Sequence, residues 1–299
     1  MQRPAKPFTP VRFRLQPPNI MKIGIIGLGF VGNALANSFN GSVKVLKIDP
    51  KLNTSTKDLR ELNPDLIFIC VPTPMKQNGD QDISILDSVI LDIVQIDAKC
   101  PIILKSTLLP INLNRVLEHI PDLVYNPEFL REKHAIEDFK NAKFHIFGGH
   151  KDKCKIVSNF FKDFTNTITA EHIFMDIIAA SFFKYTVNSY LSIKVTFFNE
   201  LFDLFKETGS ESSWDDLIDA LKKDPRLGSS HMSVPGHDGR RGFGGACLPK
   251  DVNAFHKYSI EKGTEISLLK KIIDINNKYR SGYNELTDRE KQQNISYKD

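Results

Sequence analysis

The chain has 299 residues, enough for two domains, and its hydrophobic fraction of 41% allows a proper buried core. The formal net charge is +4, with no basic stripe interleaved with aromatic residues, so we expect an anionic small molecule as partner rather than nucleic acid. No apolar run reaches the ~18 residues that a membrane-spanning helix needs, so we expect no membrane association.

Four cysteines, Cys70, Cys100, Cys154 and Cys247, form no C-x-x-C pair and have no zinc-like spacing with histidine. We therefore expect no metal site. A disulfide framework is implausible in so long a chain with so few cysteines, and a reducing cytoplasm is the simplest location.

Residues 1–20 are rich in proline and basic residues and contain no apolar core of a secretory signal. We expect a disordered leader, or sequence upstream of the true start. Met21 immediately precedes the first predicted strand and could itself be the natural initiator.

The first regular segment predicts a dinucleotide-binding βαβ unit. A strand at residues 22–26 runs into the sequence G-L-G-F-V-G, a helix follows to about residue 39, and a second strand at residues 43–48 ends at Asp49. A pyrophosphate would lie at the helix N-terminus, and the acid would bind the ribose hydroxyls, which favours NAD over NADP. Asp49 could otherwise be a simple turn residue. The predicted cofactor residues of this unit are Gly27, Gly29, Phe30, Val31, Gly32 and Asp49.

The α/β alternation continues with further strands predicted at residues 65–71, 101–105, 123–125 and 144–147. This pattern indicates a doubly wound parallel sheet over residues 21–168. Thr73, Thr107 and Glu128 follow the carboxyl ends of strands, where ligand-binding groups cluster in such sheets. Each of them alone could equally be a turn or capping residue.

Residues 176–208 contain no strong helix breaker and predict one long helix or two abutting helices. The segment is apolar on nearly every side, which indicates burial on several sides, including a dimer interface. Lys184 and Asn188 are four residues apart and so share one face. A lysine there must be paired, unless it extends its ammonium to the surface.

This helix would be central to an all-helical domain over residues 169–285. We predict a shorter helix at residues 215–222, a mobile loop at 228–241 and a last helical stretch at about 252–279. A polar, frayed tail is expected at residues 286–299.

The stretch from Gly242 to Asp251, G-F-G-G-A-C-L-P-K-D, is the predicted centre of the chemistry. A thiol is nucleophilic only as the thiolate, which a nearby cation favours, and Lys184 and Lys250 are the candidate cations for Cys247. The alternative for a lone cysteine is an inert buried residue.

Seven sequence blocks together resemble the UDP-glucose/GDP-mannose dehydrogenase family, and they occur in the family's order over residues 22–257. The resemblance is greatest to the family's UDP-glucose members. The blocks are G-L-G-F-V-G, V-P-T-P, K-S-T-L-L-P, N-P-E-F-L-R-E, K-Y-T-V-N-S-Y-L-S-I-K-V-T-F-F-N-E, D-P-R-L-G and G-F-G-G-A-C-L-P-K-D.

The resemblance implies an NAD-dependent, four-electron oxidation of a nucleotide sugar, UDP-glucose to UDP-glucuronate in the first instance, by a homodimer. Cys247 would form a thiohemiacetal and then a thioester. Lys184 and Asn188 would stabilise the oxyanion, Glu128 would handle protons, and Asp251 and Thr107 would position water. The resemblance adds Thr73 and Thr107 to the cofactor site. The substrate contacts that it implies are Glu128, Phe129, Leu130, Glu132, Lys184, Asn188, Phe243, Gly244 and Arg226, the last in the partner subunit's site.

Two features depart from the family pattern. Only about fifty residues follow Asp251, so we expect a short form without the usual C-terminal nucleotide-binding domain. The segment before the cysteine loop is longer than usual and carries Arg240 and Arg241. We hypothesise that these two arginines contact the substrate's diphosphate, and the alternative is a solvated basic loop.

Three other functions stay open at this point. The substrate could be GDP-mannose or a UDP-N-acetylhexosamine. The chain could be a single-step β-hydroxyacid dehydrogenase, although that chemistry needs no cysteine. It could also be an inactive protein that binds NAD or a sugar nucleotide.

Overall fold

The computed structural model describes residues 20–168 and 170–297. The predicted leader therefore lies outside the described residues, apart from Ile20 at its end.

A seven-stranded sheet forms the first half of the molecule, in the order β2-β1-β3-β4-β5-β6-β7. All neighbouring strands pair in parallel except β5 and β6. Side chains on both faces of the sheet are buried, which explains the continuous apolar runs in the strands. The predicted doubly wound fold is confirmed. The strands are Met21–Ile26 (β1), Val43–Ile48 (β2), Leu66–Ile69 (β3), Ile102–Leu104 (β4), Val124–Tyr125 (β5), Phe144–Gly148 (β6) and Glu171–Met175 (β7).

Six helices accompany the sheet and five follow it among the described residues. Those with the sheet are Phe30–Ser38 (α1), Leu59–Leu62 (α2), Ser84–Gln95 (α3), Pro110–His119 (α4), Ala135–Lys140 (α5) and Lys151–Phe164 (α6). Those after it are Ile177–Glu207 (α7), Trp214–Leu221 (α8), Leu248–Glu261 (α9), Ser267–Arg280 (α10) and Asp288–Gln292 (α11). None of the helices in these described segments is long and apolar enough to cross a membrane.

The sheet extends beyond the boundary that we predicted after residue 168. Strand β7 pairs in parallel with β6 along its whole length, so the sheet ends at Met175. The sequence E-H-I-F-M contains two polar residues, and β7 lies at the edge of the sheet with its side chains half-buried or exposed. Such a strand lacks the continuous apolar run that identified the others.

Helix α7 is one unbroken helix of 31 residues, which is the first of the two alternatives that the absence of breakers predicted. The Asp176 carboxylate starts it by accepting hydrogen bonds from the N–H groups of Ile178 and Ala179, both at 2.9 Å. The helix packs closely on the sheet at Gly148, where an added Cβ would lie 2.5 Å from the Ala180 Cβ. Helices α4, α9 and α10 also pack against α7, so it links both halves of the molecule.

The C-terminal part differs from prediction in two ways. The expected single stretch at 252–279 is two helices, separated at Gly263, whose φ of +72° belongs to the left-handed region. The expectation of a frayed tail is wrong for its described residues. Thr287 caps α11 by accepting a hydrogen bond from the Glu290 N–H, and Ile295 and Tyr297 are buried against Met75.

Candidate active site

The glycine-rich loop between β1 and α1 provides an open approach to the N-terminus of a helix. Gly27 has a φ of +90°, and a Cβ on it would lie 2.8 Å from the Cys70 carbonyl oxygen. A Cβ on Gly32 would lie 2.0 Å from the Gly27 carbonyl oxygen, so α1 can pack closely only without one. A Cβ on Gly29 would meet no described heavy atom within 4 Å. The first-turn N–H groups, at Phe30 and Val31, therefore face space that a pyrophosphate fits.

Asp49 lies directly beside this loop at the end of β2. Its Oδ2 accepts a hydrogen bond from the Leu28 N–H at 2.8 Å, and its Oδ1 accepts one from the Lys51 N–H at 3.0 Å. The second bond also caps the short 3₁₀ turn that follows, so the turn role that we kept as an alternative is present too. The carboxylate is next to the loop, where a dinucleotide's ribose would lie.

The ends of β3 and β4 are joined by a buried glutamine that we did not predict. The amide nitrogen of Gln81 donates to the Thr107 carbonyl oxygen at 2.8 Å and to the Tyr185 hydroxyl at 3.1 Å, and its carbonyl oxygen accepts from the Leu109 N–H at 3.1 Å. The Thr73 hydroxyl donates to the same Thr107 carbonyl oxygen at 3.0 Å. The two predicted threonines are thus held together. Gln81 is in a polar loop whose sequence gave no sign of this role.

Lys184 faces inward from α7 and meets Glu128. Its Nζ donates a hydrogen bond to the Glu128 carbonyl oxygen at 2.6 Å and lies 3.9 Å from the carboxylate Oε1. Both side chains are buried, so the surface-lysine alternative is wrong. The ammonium also lies 5.1 Å from the centre of the Phe129 ring, and the Leu130 N–H donates to the carboxylate of Glu128 at 2.6 Å. Phe129 and Leu130 therefore hold this pair in place.

Asp251 forms a second buried pair, with Lys250, and it also contacts α7 at Asn188, one helical turn after Lys184. Its Oδ1 accepts a hydrogen bond from Lys250 Nζ at 2.5 Å, and its Oδ2 accepts one from Asn188 Nδ2 at 2.6 Å. Lys184 and Asn188 share a face of α7, as predicted, and each is directed to a different acidic residue. Two lysines and two carboxylates therefore come together, and their formal charges cancel.

Cys247 lies among these four charged groups, at the N-terminal end of α9. Its residue is half-buried, and its thiol has a pKa raised to about 11. Burial is the main cause, and Glu128 adds to it, while Lys184 and Lys250 lower the pKa by less. We expected the lysines to favour a thiolate. In this conformation the thiol is protonated at neutral pH, because its burial outweighs the effect of two lysines that are each already paired with a carboxylate. All four cysteines are free thiols.

Several predicted substrate contacts are engaged elsewhere in this conformation. Arg241 donates to the Asn199 side chain at 2.7 Å and pairs with Asp203 at 2.8 Å, so its charge is already neutralised by α7. Arg240 donates to the Glu285 carbonyl oxygen at 2.6 Å. These contacts favour a structural role over the predicted diphosphate contact. Glu132 pairs with Arg289, and the exposed Arg226 pairs with Asp224.

Phe243 and Gly244 lie on the inner side of the cysteine loop. The Phe243 side chain is buried in a core cluster with Tyr185, and Asn276 binds both its N–H and its carbonyl oxygen. Gly244 is packed against the Arg280 guanidinium. The substrate roles predicted for both residues are therefore not supported by their contacts. Within the described ranges, His, Cys, Asp and Glu form no group of three that could hold a metal ion.

Two domains of one family match most of the chain. Residues 44–165 match the "UDP-glucose/GDP-mannose dehydrogenase family, NAD binding domain", and residues 179–278 match the "central domain" of the same family. The first match begins in β2, so the geometry of the glycine-rich loop is an independent sign of dinucleotide binding.

Curated relatives carry related names. The UDP-glucose 6-dehydrogenase of Rickettsia bellii is 30% identical over 222 residues, which cover 72% of this chain and 49% of the relative. The GDP-mannose 6-dehydrogenase of Pseudomonas aeruginosa is 28% identical over 284 residues, covering 78% of this chain and 63% of the relative. The chain thus spans between about half and under two thirds of the length of these relatives.

Solved structures share the fold. A UDP-glucose dehydrogenase from Pyrobaculum islandicum aligns with a TM-score of 0.70 at 24% identity, over 88% of this chain and 70% of that one. A 3-hydroxyisobutyrate dehydrogenase from Mycobacterium tuberculosis aligns with a TM-score of 0.64 at 17% identity, over 93% and 97%. Both enzymes therefore have the architecture seen here.

Proposed function

Because the chain belongs to the UDP-glucose/GDP-mannose dehydrogenase family, we propose that it is an NAD-dependent nucleotide-sugar dehydrogenase that uses Cys247 as a covalent nucleophile. The observation that carries this proposal is the buried cluster around that thiol. Lys184, Asn188, Glu128 and Asp251 come from three separate parts of the chain and meet there.

Each of the two oxidations needs one NAD, which, when bound, would accept the hydride that leaves the substrate carbon. The open glycine-rich loop would hold its pyrophosphate, and Asp49 would bind its adenosine ribose. Thr73 and Thr107 follow the neighbouring strands β3 and β4 and would line the approach to the nicotinamide. The chain's own residues must then manage the alcohol, the aldehyde and the acyl group.

In the first oxidation the sugar's primary alcohol loses a hydride and a proton and becomes an aldehyde. The sulfur of Cys247 then forms a bond to the aldehyde carbon, and its proton passes to the new hydroxyl oxygen. Lys184 Nζ and Asn188 Nδ2 are the donors that would stabilise the negative oxygen in between. The product is a thiohemiacetal, which keeps the aldehyde on the enzyme.

In the second oxidation the thiohemiacetal carbon loses a hydride and the hydroxyl loses its proton, leaving a thioester. Water attacks that carbon, and the C–S bond breaks to give the carboxylate and free Cys247. Glu128 is the candidate base for this water. Its buried carboxylate is close enough to Cys247 for its charge to raise the pKa of the thiol. Because burial raises the pKa of Cys247, the thiol keeps its proton until it attacks the aldehyde, and the proton then passes to the new hydroxyl oxygen.

The experiment that tests this function is a measurement of NADH formed per sugar nucleotide consumed. We expect two NADH per UDP-glucose. One NADH per sugar nucleotide would indicate a single-step alcohol dehydrogenase. If no sugar nucleotide yields NADH, the protein would be a binding protein without this activity. Cys247→Ser should abolish turnover, whereas the matched control Cys154→Ser, at a buried position in α6, should keep it.

UDP-glucose is the first substrate that we propose, with GDP-mannose and UDP-N-acetylhexosamines as alternatives. The relatives named above include both UDP-glucose and GDP-mannose enzymes. A panel of UDP- and GDP-sugars, compared by kcat/KM for NAD reduction, decides between them.

We also propose a homodimer formed through α7. Tyr190, Phe197 and Leu204 are spaced by seven residues and are 58%, 57% and 64% exposed, so they form an apolar stripe on one side of the helix. A second copy of the same stripe would cover it symmetrically. Sedimentation equilibrium should give twice the chain mass, and a monomer at micromolar concentration would contradict the proposal.

A further inference from the structure

The cysteine loop is held from behind by α10. Asn276 binds both polar backbone groups of Phe243, at 2.6 Å to its N–H and 3.0 Å to its carbonyl oxygen. A Cβ on Gly244 would lie 1.1 Å from the Arg280 Nη2, so the guanidinium lies where any other side chain would begin. The backbone from Gly242 to Gly244 is therefore pressed against one face of α10.

A buried carboxylate from the C-terminal segment completes this support. Glu290 Oε1 accepts hydrogen bonds from Arg280 Nη2 at 2.9 Å, from the Tyr297 hydroxyl at 2.6 Å and from the Gly245 N–H at 3.3 Å. The side chains of Glu290 and Arg280 are 0% and 1% exposed. Asp238 binds the same guanidinium nitrogen at 2.8 Å. Glu290 thus links α10, α11 and the backbone two residues before Cys247.

The same segment, residues 286–297, also contacts the cofactor half of the molecule. We call it the C-terminal strap. The Met75 N–H donates to the Gln293 carbonyl oxygen at 3.0 Å, and the Arg289 guanidinium lies 5.6 Å from the centre of the Phe30 ring. The strap therefore runs from the cysteine loop to the start of α1, where the dinucleotide is expected.

We propose that Glu290 is a positioning residue for the catalytic cysteine: by holding the Gly245 N–H and the Arg280 guanidinium, it fixes the loop that places Cys247 between Lys184 and Lys250. The catalytic part of this inference rests on the proposed function. Its structural part concerns only where the thiol lies and how well it is shielded.

The position of the loop has a measurable chemical consequence. In the intact protein the Cys247 thiol is surrounded by Glu128, Lys184, Lys250 and Asp251, and burial raises its pKa to about 11. If the loop is released, water reaches the thiol and its pKa falls toward the ordinary value of 9.0. Alkylation requires the thiolate. At pH 8.5 the alkylation rate therefore rises about tenfold for each unit by which the pKa of Cys247 falls.

The test compares Glu290→Ala and Glu290→Gln with the wild type and with Val157→Ala. Val157 is fully buried in α6, so its substitution weakens the protein without touching the loop. Iodoacetamide modification of Cys247 is followed by peptide mass spectrometry from pH 7 to 11, without substrate. Kcat, KM and the denaturant midpoint are measured on the same preparations.

We expect Glu290→Ala to react at least about tenfold faster at pH 8.5, with a lower pH midpoint, a lower kcat and a KM within about twofold of wild type. Glu290→Gln should be intermediate, because its amide oxygen can still accept the Gly245 N–H. Val157→Ala should lower only the denaturant midpoint. If Glu290→Ala does not fold, Glu290→Gln and Tyr297→Phe provide the same comparison.

An unchanged alkylation profile in the glutamate variants would overturn the proposal, as would an equal shift in Val157→Ala. Failure of the proposed function is separate. A protein that forms no NADH but shows the shifted alkylation profile retains the positioning role and loses the assigned activity. A protein that forms two NADH per sugar but shows an unchanged alkylation profile retains the assigned activity and loses the positioning role of Glu290.

Discussion

The glycine-rich loop and the cysteine loop both depend on glycine, but for different reasons. The loop at Gly27 to Gly32 is fixed by its own neighbours, since Gly27 packs on the end of β3 and Gly32 packs on Gly27 itself. The loop at Gly242 to Cys247 is held by Asn276, Arg280 and Glu290, which are 33 to 45 residues away in sequence. The sequence of a locally fixed loop reveals its geometry through the spacing of its glycines. The sequence of a loop that distant residues support reveals only that glycine is needed, and not which residues support it.

The first prediction concerns the charge cluster that the cysteine loop serves. Lys184→Met removes the cation beside Glu128 and should lower kcat by about 10²- to 10³-fold, because an oxyanion donor is lost. Lys194→Met is the matched control on the same helix, since that ammonium instead contacts the Leu227 carbonyl oxygen at 2.8 Å. Steady-state NADH production measures both. Equal activity of the two variants would contradict the role of Lys184.

The second prediction tests the long-range support of the cysteine loop. Gly244→Ala places a Cβ on the Arg280 guanidinium and should lower the free energy of unfolding by about 1–3 kcal/mol through overpacking. Guanidinium denaturation measures this change. Wild-type stability would mean that Arg280 moves aside freely and does not confine the loop.

The third prediction is the opposite case in the glycine-rich loop. Gly29 has a φ of −68° and open space where its Cβ would be, so Gly29→Ala should change the free energy of unfolding by less than about 0.5 kcal/mol. The added methyl would instead meet the pyrophosphate, and we expect KM for NAD to rise about tenfold. Together the two glycine variants should separate stability from cofactor binding.

The smallest effect that we predict is a pH dependence of the stability that Glu290 in the C-terminal strap contributes. Burial tends to raise the pKa of Glu290, but the hydrogen bonds of Tyr297 and Thr287 and the Arg280 charge outweigh it, so the pKa lies below its usual 4.5. A depressed carboxyl pKa adds stability above the unfolded pKa, and that stability is lost as the pH falls through the folded value. Denaturation at pH 6 and pH 3.5 should show Glu290→Gln losing less stability on acidification than the wild type.

The sequence predicted the elements whose signals are local. Strands β1 to β6 and helix α7 were recognisable from apolar runs and the absence of breakers. The shared face of Lys184 and Asn188 followed from their spacing, which did not decide whether Lys184 points inward or to the surface. Strand β7 was missed, because an edge strand needs no continuous apolar run. Gly263 divided a helical pattern that otherwise continues on both sides.

The sequence pointed to several members of the candidate cluster but not to how their charges are paired. Cys247, Lys184 and Asp251 could be chosen from motifs, but the pairing of each lysine with a carboxylate depends on how α7, α9 and the segment after β5 meet. Arg241 was assigned to a diphosphate because a guanidinium suits one. Its actual partner, Asp203, is 38 residues upstream on α7, and no local pattern shows that contact.

The burial of Cys247 among balanced charges has a consequence for how the protein withstands oxidative stress. With a pKa of about 11, the thiol exists as thiolate in only about one molecule in 10⁴ at pH 7. Peroxide attacks thiolates, so the resting protein should resist conversion of this cysteine to sulfenic acid. Vulnerability would then be confined to the moments when a ligand disturbs the ion pairs and frees the sulfur to react.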